Sequence, residues 1–123
     1  IDSGKLKPCP DTPNCVSSLA ADEQHFIEPI LVSANPEQTR DIILKSLDEF
    51  SRVKVIEAQA NYIHAEFTSM IFRFVDDVEF YFPASESGVL RIDIRSASRV
   101  GSSDLGVNRK RMEAIREKIE NFK

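Results

Sequence analysis

Phe72-Arg73-Phe74-Val75-Asp76-Asp77-Val78-Glu79-Phe80-Tyr81-Phe82 reads as one long β-strand. Side chains of a strand point alternately to its two faces. Phe72, Phe74, Val78, Phe80 and Phe82 therefore share one face, and Arg73, Val75, Asp77, Glu79 and Tyr81 share the other. Asp76 is the exception, a carboxylate that alternation places among the phenylalanines. Such a group needs a partner. A bulge, a backbone amide or an arginine would each supply one.

The segments on either side repeat the pattern. In 61–68, Ile63, Ala65 and Phe67 oppose Tyr62, His64, Glu66 and Thr68. In 88–99, Leu90, Ile92 and Ile94 oppose Arg91, Asp93, Arg95 and Arg99. Three strands thus agree on one apolar face and one charged face, as in an antiparallel sheet covered on one side. For the charged sets to share a face, the connection after Phe82 must keep parity, through an odd number of unpaired residues or a bulge near Gly88. A further strand is expected over 52–58, joined to the next by a turn near Asn61.

Two helices are expected to cover the apolar face. The first starts with Asn35 as N-cap, Pro36 at the first helical position and Gln38 completing a capping box. It runs to about Phe50 and buries a stripe of Ile43, Leu47 and Phe50. The second follows a loop at 100–103, with Asp104 as N-cap and Met112, Ile115, Ile119 and Phe122 as its buried stripe. His25 to Val32 reads as a short strand that Pro29 marks as an edge. Residues 1–24 carry Pro8, Pro10 and Pro13 and read as an extended N-terminal arm, with Val16 and Leu19 able to tack it down. The expected fold is α+β: an antiparallel sheet of about four to five strands with two helices on one face, in the order β-α-β-β-β-β-α. Residues 25–123 form a single domain.

The 123 residues suit one core, and a net charge of −4 argues against a general nucleic-acid binder, which needs a basic surface. No apolar run approaches the roughly 20 residues that span a bilayer. The chain begins at Ile1, which reads as a trimmed N-terminus with room before it for a removed signal peptide, lipid anchor or other membrane segment. Cys9 and Cys15 are the two cysteines, six residues apart in the Pro-rich arm. A disulfide is the expectation, stabilising by about 2 kcal/mol for so short a loop. Free thiols are the alternative. Two sulfurs fall short of the four ligands of a structural metal site, so no metal and no cofactor is expected. A disulfide implies an oxidising compartment.

Two features offer chemistry. The charged face gathers His64, Asp77, Glu79, Arg91 and Arg95, either a solvated lattice of cross-strand ion pairs or a ligand surface with arginine forks for an anion. Beside it, 95–111 leaves a strand, turns and enters a helix, carrying Arg95, Ser96, Ser98, Arg99, Ser103, Asp104, Asn108 and Arg109. A helix start with serines and arginines suits a phosphate or carboxylate, although the P-loop spacing is missing. The opposing reading makes these residues caps and solvated charges. Catalytic templates fit poorly. Asp77 and Glu79 lie about 7 Å apart by strand rise, a glycosidase-like spacing that alternation produces freely.

Cys9-Pro10-Asp11-Thr12-Pro13-Asn14-Cys15-Val16-Ser17-Ser18, the 72–80 stretch, Arg95-Ser96-Ala97-Ser98-Arg99-Val100-Gly101 and Ser103-Asp104-Leu105-Gly106-Val107-Asn108-Arg109 together resemble the family catalogued as domain of unknown function 1499. The resemblance covers nearly the whole chain. It implies an exported protein of the bacterial periplasm or envelope, often behind a signal peptide, lipid anchor or membrane segment, or of plastids, and it carries no catalytic residues over. The expectation is a non-enzymatic binding or accessory module for an anionic small molecule, a lipid headgroup or an envelope protein. The alternatives are a hydrolase using His64, Asp77 and Glu79, and a structural or assembly factor without a ligand.

Overall fold

The computed structural model describes residues 1, 4–70, 73–100 and 106–122. Among them the chain forms β1 (Cys15–Ser17), β2 (Ile30–Val32), α1 (Pro36–Leu47), β3 (Val53–Ala58), β4 (Tyr62–Thr68), β5 (Val75–Tyr81), β6 (Leu90–Ser98) and α2 (Val107–Asn121). The six strands make one α+β sheet in the order β1-β6-β5-β4-β3, with β2 pairing the start of β6. Every ladder is antiparallel.

The alternation seen in the sequence sets the layers. Ile63, Ala65, Phe67, Val78, Phe80, Leu90, Ile92 and Ile94 are buried on one face. Against them pack Ile43 and Leu47 of α1 and Met112, Ile115 and Ile119 of α2. Each such side chain contributes about 1.5–3 kcal/mol on leaving water. The charged faces coincide as parity requires: His64 pairs with Glu79, Glu66 with Asp77, Glu79 with Arg95 and Tyr81 with Asp93. No bulge interrupts β5 and β6. The bulge lies instead in β3, where the register against β4 shifts between Val55 and Glu57.

The α1 capping box forms as the sequence implies. Asn35 accepts from the Gln38 amide at 2.8 Å and Gln38 accepts from the Asn35 amide at 3.1 Å. Other boundaries move. The long strand starts at Val75, because Ser69 and Phe74 close a turn: Ser69 N–H donates to the Phe74 carbonyl and Phe74 N–H to Ser69 Oγ. Phe72, its expected start, lies outside the described residues. Arg73 takes a left-handed φ of 57° and Phe74 lies exposed. Only Ile30–Val32 of the 25–32 run is strand. Helix α2 is capped by Gly106 at φ 81°, two residues later than expected; the expected cap, Asp104, lies outside the described residues, as does Ser103. Phe122 falls just past α2 and is 41% exposed, so the stripe ends at Ile119. Asn108 is buried on the stripe's first turn instead.

The arm is more structured than its prolines imply. Cys9 and Cys15 form a disulfide with Cα atoms 5.7 Å apart. Directly after it, β1 adds to β6, pairing Cys15 with Ala97, Val16 with Ser96 and Ser17 with Arg95. Val16 and Leu6 are buried, whereas Leu19 is exposed and tacks nothing down. His25 is also buried. Its Nδ1 meets Asp22 Oδ2 at 2.5 Å and its Nε2 donates to the Thr12 carbonyl at 2.8 Å.

Candidate functional site

The charged sheet face is a closed set of ion pairs. At one end Arg99 binds Asp77 with two nitrogens, at 2.7 and 2.8 Å, and also reaches Glu66. His64 Nε2 completes the group on Asp77 Oδ1 at 2.7 Å. In the middle, Glu79 accepts from Tyr62 Oη at 2.5 Å and from Arg95 at 3.4 Å. At the other end, Asp93 accepts from Arg91 at 2.9 Å and from Ser18 at 2.8 Å. Arg91 and Arg95 also donate to the Ser18 and Pro8 carbonyls of the arm.

These contacts shift the titration of Asp77 and Tyr62. The Arg99 guanidinium holds the Asp77 carboxyl below the usual carboxylate range, aided by His64 and opposed by burial. Burial pushes the Tyr62 phenol up, and Glu79 adds to the effect, so Tyr62 stays a hydrogen-bond donor. A glycosidase-type acid needs the opposite shift, a carboxyl raised by an apolar pocket. Asp77 is ionised and paired.

Ser96, Ser98 and Asn108 lie on the opposite side of the sheet. Ser96 and Ser98 follow the parity of Ile94, not of Arg95. They meet Asn108 at the start of α2: Ser96 Oγ donates to Asn108 Oδ1 at 2.5 Å, and Asn108 Nδ2 donates to Ser98 Oγ at 2.9 Å and to the Asn14 carbonyl at 3.1 Å. Arg111 joins this knot through Asn108 Oδ1 at 3.0 Å, and its other terminal nitrogen pairs with Asp76 at 2.7 Å. The carboxylate among the phenylalanines thus finds an arginine from the second helix. The guanidinium also lies over Phe67, 4.9 Å from the ring centroid. Arg109 turns away from both sets and donates to the Phe26 and Gln24 carbonyls at 2.8 and 3.1 Å, clamping the arm.

The expected site therefore divides. His64, Asp77, Glu79, Arg91, Arg95 and Arg99 share the charged face. Ser96, Ser98 and Asn108 belong to the buried knot, and Arg109 to neither. Parity within 95–99 already carries this division. Asn14 and Arg111 are the knot members that sequence reading missed. Arg111 is one of three basic residues in a row, and only the position of α2 singles it out.

Two clefts open away from the charged face. The larger, about 650 Å³, lies beside β2 and α1 with Leu31, Ala34, Ile42 and Phe122 among its walls. A smaller one, about 370 Å³, lies between the end of α1 and the start of α2, over Phe50 and Phe67. Neither is lined by His64, Asp77 or Glu79. Among the described residues, no group of three or more His, Cys, Asp or Glu side chains is arranged to hold a metal ion. Among them, too, no helix is long and apolar enough to cross a membrane.

Residues 5–119 match the model of a family described as protein of unknown function, DUF1499. No curated protein matches the sequence. Among solved structures, the chain is similar to TTHA0849 from Thermus thermophilus, at 10% identity and a TM-score of 0.41. That alignment covers 87% of this chain and 97% of the other.

Proposed function

The chain belongs to DUF1499, a family of proteins of unknown function, and on that premise we propose that it is an exported, non-enzymatic binding module for an anionic ligand or envelope partner. The observation that carries the non-enzymatic reading is the pairing of the charged face. Asp77 is held ionised by Arg99 and His64, and Glu79 lies between Tyr62 and Arg95. Such a face supplies a charge pattern held in place by cross-strand pairs, suited to recognition. The family's separated motif stretches also meet at one end of the sheet: Asn14, the Asp76-Asp77 pair, Ser96 to Arg99, and Asn108. That end is the natural seat of recognition. The Cys9–Cys15 disulfide supports export, because such bonds persist in oxidising compartments.

Native mass spectrometry of protein purified from its own host tests the binding reading. An added mass should accompany the wild-type chain and fall away in Arg95→Ala/Arg99→Ala. An adduct retained by the double variant would sink the charged-face site. Alkylation of thiols in intact host cells tests the compartment: both cysteines should be blocked, and free thiols would refute export.

A further inference from the structure

We propose that the cleft between the end of α1 and the start of α2 binds a single-chain amphiphile with an anionic head, a carboxylate or a phosphate monoester. The inference rests on the reading of the protein as an anion-binding module and adds to the charged face a second site, in this cleft.

The cleft is lined by Phe50, Ser51, Arg52, Phe67, Val107, Lys110 and Arg111 and measures about 370 Å³, within the range of small-molecule sites. Its walls are aromatic. The Phe50 and Phe67 rings meet edge to face at a centroid distance of 5.8 Å. Its rim is cationic, with three basic side chains and, among the described residues, no carboxylate in the lining. That composition contrasts with the rest of the sheet, where Arg91, Arg95 and Arg99 each meet an acid. Here only Arg111 is so matched, by Asp76. Arg52 and Lys110 have no side-chain hydrogen bond or ion pair to another described residue, and both are exposed.

The geometry positions these two cations. The Thr68 amide donates to the Arg52 carbonyl at 3.0 Å, holding Arg52 at the start of β3 in a left-handed φ of 57°. Lys110 stands in the first turn of α2, one residue before the Arg111 that Asp76 anchors. An anionic head at the rim would be met by an arginine fork and an ammonium. Its apolar chain would lie over Phe50 and the exposed Val107. Phe67 is itself buried at the floor beneath the Arg111 guanidinium, so the site is a shallow, open depression with room for one chain.

The test is a titration of the ¹⁵N-labelled full chain, disulfide intact, with dodecyl phosphate below its critical micelle concentration. Saturable amide shifts are expected at residues 50–52, 67 and 107–111. Inorganic phosphate, which lacks the chain, and dodecyl maltoside, which lacks the charge, should each bind at least tenfold more weakly. Arg52→Ala/Lys110→Ala should weaken dodecyl phosphate at least tenfold while keeping the remaining spectrum, since both side chains are exposed. Lys45→Ala, an exposed cation of α1 outside both the cleft and the charged face, should leave the affinity unchanged. Equal binding of the maltoside, shifts centred elsewhere, an unaffected Arg52/Lys110 variant, no binding at all, or binding only to phosphatidylglycerol vesicles would each overturn the cleft. Loss of binding in the Arg95/Arg99 variant alone would overturn it while leaving the charged face standing. Loss in neither variant would count against both sites.

Discussion

Asp76 and Arg111 show what one buried carboxylate demands. Their side chains are only 11% and 15% exposed, so removing one partner leaves a charge in a poor solvent. Arg111→Met should cost about 3 kcal/mol in denaturant unfolding. A double-mutant cycle with Asp76→Asn should show coupling above about 1 kcal/mol, and additive effects would mean that the pair is not a unit. His25 makes a second demand. Both its ring nitrogens face acceptors, the Thr12 carbonyl and the Asp22 carboxylate, with Asp11 nearby and the Arg109 guanidinium on the adjoining Gln24 and Phe26 carbonyls. The Thr12 carbonyl and then Asp22 raise the His25 pKa above the ordinary histidine value. A raised histidine stabilises fully below its unfolded value of about 6.5, and the contribution disappears as pH rises through the folded value. NMR titration should therefore place His25 above about 6.5, and His25→Gln should remove that loss of stability on the alkaline side. Asp77 has the opposite sign. Its lowered pKa contributes stability above the ordinary aspartate value, lost as pH falls through the folded one.

At the scale of elements, the sequence carried most of the fold because two periodicities were clean. Residues 61–68 and 75–82 alternate without error except at Asp76, and 36–47 keeps a helical stripe behind an explicit capping box. Asn35→Ala should cost about 1 kcal/mol, read as a lower urea midpoint with an unchanged slope. What was illegible depends on contacts distant in sequence. Strand β1 exists because β6 offers it a partner, and three residues among prolines give no periodicity to read. The start of β5 yields to a turn closed by Ser69, a local hydrogen bond that outranks the alternation at Phe74. The candidate site was half legible. The charged face followed from alternation, but the assignment of Ser96 and Ser98 to it ignored their parity. The role of Arg109 as a clamp needed the position of the arm.

At the scale of the whole molecule, the arm is part of the domain. The disulfide, the β1 ladder, His25 and the arginines of α2 all fasten residues before β2 to the rest. Cys9→Ser/Cys15→Ser should lower stability by about 2 kcal/mol, and reduction of the wild type should do the same; an unchanged unfolding midpoint would show that the remaining contacts suffice. The opposite border of the sheet is managed differently. Strand β3 ends the sheet with Val55 and Ile56 exposed, and its bulge puts two residues against one of β4 there. Because Ile56 is the extra residue, Lys54 and Glu57 both pair onto the charged face, opposite Glu66 and His64. A kinked border with both signs of charge is a poor template for another strand. Deleting Ile56 would straighten it without changing which way its neighbours point. The shortened chain should then associate border to border more readily, visible as concentration-dependent light scattering, and scattering no greater than that of the wild type would show that the charges alone blunt this border.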